Sequence, residues 1–409
     1  MRKKILATLL VMALLLPVLG LAQAGAEETP LQFGADGKLR ILQLADLQDG
    51  LKLDIRVKRF LQTLLQTDDP AKKPDLVALT GDNIQGAIAG TFALTQDMKD
   101  KAVQEAIDEF MPILNRAGVP IAVVFGNHDT EGSMYIGFGT SKEKQLAWYQ
   151  KYENCVMIDQ DPAYENQDLS GTGNYNLPVL SSDGTRTAYN LWFFDAFNSG
   201  STKPYDGVHD DVLDWYTWKS DQLKEANGGA WVPAISFQHV IVPEIGAAME
   251  AAGRKVDTGI PVSTNDYIWE DPCPNDNTNA NQFGRMQGRD LKAMFFGHDH
   301  NNNFRIPYQG VDLICTGGSC FGDRGLQMFF AYNRTHDALA RLITLDENNP
   351  GVIVTETLRY SDYEKAGLLQ ELDFNAPLSA LESLELFFAN VLAAILKQFD
   401  KLLIKINLF

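Results

Sequence analysis

Residues 38–46 read KLRILQLAD, a short apolar run that ends in a carboxylate. A helical pattern of apolar residues follows at 53–66, and the order then repeats with DLVALTGD at 75–82, a helical pattern at 95–117 and PIAVVFGNHD at 120–129. Apolar runs of this length that alternate with helical patterns are typical of a β-α-β-α-β unit with parallel strands. The sequence therefore predicts an α/β fold.

Each of these three strands ends in polar side chains, at Asp46, Asp82 and Asn127. In parallel sheets, ligands bind beyond the carboxyl ends of the strands. Because those ends meet at one edge, we expect the three side chains to lie together, and we predict a functional site at that edge.

The second half of the chain is richer in strands. Apolar runs predict strands at 187–194, 232–237, 292–296, 311–316, 339–345 and 352–358. A helix is expected at 210–225, whereas residues 243–290 are rich in Pro, Asn, Asp and Gly and predict a long irregular segment. Long loops in compact domains are often functional, so this segment is a candidate lid for substrate selection.

Composition and net charge limit the kinds of molecule that the protein is expected to bind. The 409 residues, 45% of them hydrophobic, suffice for one large domain or two smaller ones. With 53 acidic and 35 basic residues the formal charge is −18. Such a protein repels the phosphate backbone of nucleic acids, so we expect no nucleic acid polymer among its partners.

Residues 1–24 have the layout of a cleavable signal peptide. A basic start at residues 2–4 precedes an apolar run, which ends in the small residues Ala22 and Ala24. We expect cleavage after Ala24, with a retained membrane anchor as the alternative. The mature protein would then be secreted or held at the cell surface.

Four cysteines in an exported chain allow up to two disulfides in any of three pairings, or buried free thiols. They are Cys155, Cys273, Cys315 and Cys320. The spacing of the last two matches no metal motif, so we expect no zinc site there.

Five short polar motifs follow apolar strands. They are Asp-Leu-Gln at 46–48, Gly-Asp-Asn at 81–83, Gly-Asn-His-Asp at 126–129, Phe-Gln-His at 237–239 and Gly-His-Asp-His at 297–300. Taken singly, each is compatible with turn chemistry or with a hydrogen-bonded structural histidine. The paired histidines of the last motif need a stronger reason to lie together at a strand end. In this order the five motifs are hard to explain by chance.

This order of motifs resembles the signature of calcineurin-like metallophosphoesterases, in the purple-acid-phosphatase-like branch. The resemblance covers about residues 38–360 and rests mainly on Gly-Asn-His-Asp and Gly-His-x-His. It implies a linker at 25–37 and a metallophosphoesterase domain at 38–365, with two mixed β-sheets packed face to face and flanking helices. It also implies a phosphoester hydrolase with a dinuclear metal centre and a metal-bound hydroxide as nucleophile.

The resemblance implies a role for each motif residue. The first metal would be held by Asp46, Gln48, Asp82 and His300. The second would be held by Asp82, Asn127, His239 and His298. The Asp82 carboxylate would bridge the two ions, His128 would stabilise developing charge or protonate the leaving oxygen, and Asp129 would orient the His128 imidazole.

Two positions depart from the family pattern. Gln48 stands where histidine is usual, and its neutral amide oxygen favours manganese, magnesium or calcium over zinc or iron at the first site. Asp49, the next residue, is an alternative ligand. Gln85 stands where purple enzymes have a tyrosine ligand, so we expect no tyrosinate–iron centre.

Other polar residues are less informative. We interpret His209 and His336 as surface or structural residues. The Gly173–Tyr175 segment and Asp195 resemble positions near substrate sites in the family, but ordinary loop packing explains them equally well.

Residues 378–409 predict an amphipathic helix after the domain. Ser379 and Glu382 form a capping box, and apolar residues then recur at helical spacing. The apolar run Val391–Leu396 is too short to span a bilayer. The apolar face of residues 379–409 would pack on the domain, on a second copy, or on a membrane or envelope surface.

Two functions agree with these patterns. One is a secreted hydrolase of small phosphoesters that uses two divalent ions. The other is a surface binding or scaffold protein that retains the fold but has a weakened first metal site because of Gln48. Metal content and turnover distinguish them.

Overall fold

The computed structural model describes nine parts of the chain, which are residues 30–48, 52–132, 139–166, 168–196, 205–257, 265–276, 280–322, 333 and 335–372. The strands within them are β1 (Lys38–Leu44), β2 (Leu76–Thr80), β3 (Ile121–Val124), β4 (Tyr175–Leu180), β5 (Thr187–Phe193), β6 (Ala234–Phe237), β7 (Tyr267–Ile268), β8 (Leu291–Phe296), β9 (Asn302–Tyr308), β10 (Val311–Cys315), β11 (Leu339–Asp346) and β12 (Val354–Arg359). The helices are α1 (Ile55–Leu65), α2 (Gln96–Ile107), α3 (Met111–Arg116), α4 (Lys142–Tyr149), α5 (Asp210–Ala226), α6 (Ile245–Ala252), α7 (Gln282–Met286) and α8 (Tyr360–Ala366).

The strands form two mixed sheets. The first has the order β12-β11-β1-β2-β3, in which β1, β2 and β3 are parallel and β11 is antiparallel to both neighbours. The second has the order β4-β5-β6-β8-β10-β9-β7, with a parallel centre from β5 to β10 and antiparallel pairs at both edges. The predicted α/β class and the two mixed sheets with flanking helices are confirmed.

Three strands were missed by the sequence patterns, and the two longer ones, β4 and β9, contain proline. Pro178 lies in β4, at the edge of the second sheet, where a residue without an N–H does not interrupt a ladder. Pro307 lies in β9 beyond the two residues that pair with β7. Prolines and asparagines in these runs obscured a strand signal that the tertiary pairing supports.

The helical prediction for 95–117 was wrong in one respect. The segment forms two helices, α2 and α3, and Pro112 lies at the start of the second, where its missing N–H breaks no intrahelical bond. The segment at 243–290, predicted to be irregular, contains α6, α7 and the short strand β7. Phe33, expected in a linker, is buried, and its N–H donates to Leu180 O (2.9 Å), so the domain begins before residue 38.

An aromatic core anchors α5 to the outer face of the second sheet. Trp192 of β5 contacts Trp215 and Tyr216 of α5, with ring centroids 5.5 and 4.9 Å apart and edge-to-face geometry. All three rings are buried. Burial of such large apolar surfaces is the main stabilising term for this layer.

The two sheets meet through a buried polar network as well as apolar contacts. Arg341 of β11 donates to Thr316 Oγ1 (2.7 Å), Asn303 Oδ1 (2.7 Å) and Cys315 O (3.0 Å). Thr316 in turn donates to Gln43 of β1 (2.7 Å), whose amide donates to Phe296 O on β8 (3.2 Å). The network ties β1 and β11 of the first sheet to the second sheet, because a displacement of either sheet would leave buried polar groups without their partners.

Residues outside the described ranges include the predicted signal peptide at 1–24 and the C-terminal helix at 378–409. Among the described helices, none has the length and apolar character needed to cross a membrane. The four cysteines, all within described ranges, are free thiols.

We predict that Arg341→Met lowers the free energy of unfolding by about 3 kcal/mol, because three buried acceptors lose their donor. Urea denaturation measures the change. Arg254→Met is the matched control, since Arg254 pairs with Asp266 at the surface and such a pair contributes about 1 kcal/mol or less. Equal losses in the two variants would contradict the structural role of the network.

Candidate metal centre

The polar ends of five strands from both sheets meet at one edge of the molecule. Two groups of possible metal ligands form there, and in each the ligand atoms lie within 4.8 Å of one another. One group is Asp46, Asp82 and His300, and the other is Asp82, His239 and His298. Asp82 belongs to both groups, so its carboxylate occupies the position that a bridging ligand requires.

The ring of His239 is held in one orientation. Its Nδ1 donates to Thr80 O (2.9 Å), which directs Nε2 at the centre. Burial opposes protonation of His239, but Asp82 outweighs it and raises the pKa of the imidazole to about 9, so a metal ion at Nε2 would displace a proton. Nε2 lies 3.1 Å from Asp82 Oδ2 and 3.1 Å from Asn127 Oδ1. This arrangement, with the side chain of His239 fully buried, is that of a preorganised metal ligand.

At the first group, His300 Nε2 lies 3.4 Å from Asp46 Oδ1. Gln48 is also buried there, and its amide N–H donates to Asp82 Oδ2 (2.9 Å) while its Oε1 has no hydrogen-bond partner. A buried amide oxygen without a donor is costly, and a cation bound between these oxygens would satisfy it. The donor set therefore fits a metal ion, with Gln48 in place to contribute. Asp49, the alternative ligand, lies outside the described residues.

The backbone at these positions is strained. Asp46 (φ 54°), Gln48 (φ 30°), Asp82 (φ 50°) and His298 (φ 72°) all lie in the left-handed region, which side chains other than glycine rarely adopt. Gly126 is required for a different reason, since a Cβ there would lie 2.2 Å from Asp82 Oδ1. Strain and close approach both serve to turn the ligand side chains towards one point.

The electrostatics of the centre suit cation binding. Burial opposes ionisation of Asp82, but the imidazoles of His239 and His128 outweigh it and hold the pKa of Asp82 below its usual range. Burial, reinforced by the neighbouring His239, lowers the pKa of His298 well below the ordinary value, so His298 is neutral. A carboxylate anion and a neutral imidazole are the forms in which these side chains bind metals.

His128 lies at the rim of the same centre, with Nε2 3.9 Å from Asp82 Oδ2. Its Nδ1 lies 2.8 Å from the carboxylate of Glu131, a residue that the sequence analysis did not single out. Burial disfavours protonation of His128, but Asp82 and Glu131 outweigh it and raise the pKa of the imidazole to about 9. The arrangement places a proton donor beside the metal ligands.

The role predicted for Asp129 was wrong. Its carboxylate does not orient His128 but accepts three backbone N–H groups, from Asn83 (3.0 Å), Ile84 (3.1 Å) and Gly126 (2.7 Å). These bonds join the loop after β2 to the loop after β3, so Asp129 positions the backbone that carries Asp82 and Asn127. In the sequence, only the spacing of three residues between His128 and Glu131 pointed to the contact between these two side chains.

Three further polar or aromatic residues, two of them considered from the sequence and one not, make defined contacts in the structure. Tyr175 OH accepts from Val123 N (2.9 Å) and donates to Val123 O (3.0 Å), and Asn174 Oδ1 accepts from Asp195 N (2.9 Å). These contacts support loop packing for Gly173–Tyr175. Tyr205, not anticipated, packs edge-on against the His298 ring at a centroid distance of 4.2 Å.

Comparisons with known proteins agree with this geometry. A family model described as calcineurin-like phosphoesterase matches residues 39–317, a range that contains all five motifs. The chain is 25% identical to probable inactive purple acid phosphatase 14 of Arabidopsis thaliana, over 72% of this chain and 74% of that protein. It is 25% identical to probable inactive purple acid phosphatase 29 of the same plant, over 80% and 81%. A dimetal phosphatase from Danio rerio superposes with a TM-score of 0.44 and 13% identity, covering 79% of this chain and 99% of that one.

We predict that Asp82→Asn weakens both metal sites together, since the shared carboxylate loses its charge. His300→Ala should weaken only the first site and His298→Ala only the second, because each belongs to one ligand group. Calorimetric titration of manganese into metal-free protein resolves the two sites. Parental affinity at both sites in the Asp82 variant would contradict the bridging position.

We also predict that Gln48→His tightens the first site and shifts its preference towards zinc, because imidazole nitrogen favours zinc over magnesium and calcium. The same titration, repeated with zinc and magnesium, measures the shift. Asp49→Ala is the companion variant. A loss of the first site in that variant, with no change in Gln48→His, would make Asp49 the ligand instead.

Proposed function

The chain belongs to the calcineurin-like phosphoesterase family, and from this premise we propose that it is a secreted hydrolase of small phosphate esters that uses two divalent metal ions. One observation carries the proposal. Two groups of ligands, buried except for the partly exposed His298, share the Asp82 carboxylate, and a single metal site would not need this duplication. A pair of cations bridged in this way is the usual catalytic device for phosphoester hydrolysis.

The metal ions, the ligand side chains and His128 would have different roles in hydrolysis. When bound, the two cations supply charge neutralisation at the phosphoryl oxygens and activation of water. His239 and Asp46 keep their positions through hydrogen bonds to backbone groups, Thr80 O and the His298 N–H respectively, so these two side chains need little reorganisation during the reaction. His128, on the open side of Asp82, donates a proton to the leaving oxygen or a hydrogen bond to the phosphoryl group.

One further cavity, of about 540 Å³, has neither His128 nor any of the predicted metal ligands among its lining residues. It is lined in part by Thr130, two residues after His128, and by Asp195, which follows the strand next to that of His239. The lining contains the carboxylates of Asp159 and Glu143 and the ammonium group of Lys142, which pairs with Asp195 (2.6 Å). Its excess of acidic groups disfavours a polyanionic partner such as a nucleic acid polymer.

Secretion is part of the proposal and rests on the sequence of residues 1–24, whose basic start, apolar run and small residues are typical of a signal peptide. Attachment to a membrane, an envelope surface or a second copy through residues 379–409 is likewise proposed from the amphipathic pattern alone.

A second function is favoured by a specific observation. Two relatives carry the words "probable inactive" in their names, and Gln48 replaces the histidine usual at the first site. The protein would then be a surface binding or scaffold protein with one weakened metal site. Metal content together with turnover of one phosphomonoester and one phosphodiester reporter decides between the two functions. Two ions with turnover support the hydrolase, whereas one ion or none without turnover supports the scaffold.

We predict that His128→Ala leaves the fold and metal content unchanged but lowers kcat by about two orders of magnitude, the scale expected for a lost acid or hydrogen-bond donor. Steady-state kinetics with manganese-loaded protein measure the loss. His209→Ala is the control, because the His209 imidazole lies 2.8 Å from the Asp206 carboxylate just before α5 and belongs to none of the five motifs. Equal activity of His128→Ala and the parent would refute the role of His128.

A further inference from the structure

We propose that Lys99 is a positioning residue for His128, acting through the turn at residues 86–89 and through Glu131. The inference rests on the proposed hydrolase function for its catalytic meaning. Its structural part, the placement of the His128 imidazole, is independent of turnover.

Lys99 is a fully buried lysine in the first turn of α2. Its ammonium group donates to two backbone carbonyls, Gly86 O and Ala89 O, the second at 2.6 Å. Both carbonyls belong to the turn that follows the Gly-Asp-Asn motif. Lys99 therefore fastens that turn to α2.

The same turn also forms hydrogen bonds with the segment that carries His128 and Glu131. Gly86 N–H donates to His128 O (2.9 Å), and Ala87 N–H donates to Glu131 Oε2 (3.2 Å). The second carboxylate oxygen, Glu131 Oε1, lies 2.8 Å from His128 Nδ1. Gly86 is required at this contact, since a Cβ there would lie 2.4 Å from His128 O. The chain of contacts thus runs from Lys99 through the turn to both the backbone and the imidazole of His128.

The charge of Lys99 has a use beyond fastening the turn. Burial lowers the pKa of Lys99 to about 8, whereas the nearby carboxylates of Glu131 and Asp100 act in the opposite direction. A buried ammonium is costly, and a neutral donor would satisfy the same two carbonyls at lower cost. The cation, however, is also attracted to the Glu131 carboxylate, whose Oε1 lies 2.8 Å from His128 Nδ1. A 1 Å displacement of such a group is enough to lower a rate about a hundredfold.

The main test compares Lys99→Met with Lys101→Met, a control on the same helix whose side chain is exposed and pairs with Glu105 at 3.6 Å. Both variants are assayed with full metal loading on an aryl phosphate, which needs little help from an acid, and on an alkyl phosphate, which needs much. We expect Lys99→Met to lower kcat on the alkyl ester about tenfold or more, with a much smaller loss on the aryl ester and unchanged metal content. A loss that is equal for both esters would indicate a purely structural role and overturn the proposal.

Two further variants keep the proposal testable if Lys99→Met folds poorly. Glu131→Gln, at a partly exposed position, should produce the same difference between alkyl and aryl esters, and no difference would overturn the proposal. In a His128→Ala background, Lys99→Met should cause no additional loss, whereas additive losses would show that Lys99 does not act through His128.

A measurement that does not depend on turnover tests this inference separately from the proposed function. The ring-nitrogen chemical shifts of His128, measured by NMR at one pH, should change in Lys99→Met and Glu131→Gln but not in Lys101→Met. If the parent protein shows no turnover, the proposed hydrolase function is refuted. The change in the His128 chemical shifts then still tests whether Lys99 positions His128. Unchanged shifts in both variants would refute the chain whatever the activity.

Discussion

The centre of this molecule is a buried carboxylate that is shared between two ligand groups. Asp82 lies beneath the surface with Asp46, Gln48, His239 and His300 around it. Its Oδ2 faces Gln48 from one sheet and His239 from the other, while its Oδ1 accepts from the His128 N–H (2.7 Å). Carboxylates buried so closely repel one another and lose their hydration, so their ionised form needs compensating positive charge. Imidazoles provide part of that charge, and the geometry leaves room for cations to provide the rest. The remaining features of the fold follow from the need to hold these side chains at one point.

The contacts between the sheets reach this point directly. Arg341, Thr316 and Gln43 form a hydrogen-bonded chain across the interface, and Gln43 also donates to Thr80 Oγ1 (3.1 Å). The carbonyl of Thr80 then accepts from His239, so the last link of the structural network fixes the ring orientation of a ligand. A network that is fully satisfied in this way is rigid, because any displacement leaves a buried group without a partner. Stability of the sandwich and precision of the centre are therefore properties of the same set of bonds.

Loops, and not strands, hold His128, the proposed proton donor. Asp129 binds three backbone amides and so joins the loops after β2 and β3, while Glu131 and the turn at 86–89 hold His128. Lys99 fastens that turn from the adjoining helix. The same loops carry Asp82 and Asn127, and the His128 N–H donates to Asp82 Oδ1 (2.7 Å), so the proton donor and two of the metal ligands share their supports.

The sequence by itself determined the α/β class, the strands that end at the site and the identity of the chemistry-bearing motifs, because a ligand at a strand end is set by local pattern and by the parallel order of the strands. It also identified Gln48 as the unusual position. Only the tertiary structure decided what each neighbouring side chain does. Asp129 and Glu131 are both acidic and both close to His128 in sequence, yet one binds backbone amides and the other contacts the imidazole. Lys99 gives no signal in the sequence, where it is one of two lysines in a helix. Such assignments depend on the direction of side chains across loops that the strand pattern does not specify, and on strained backbone angles that only the assembled sheets maintain.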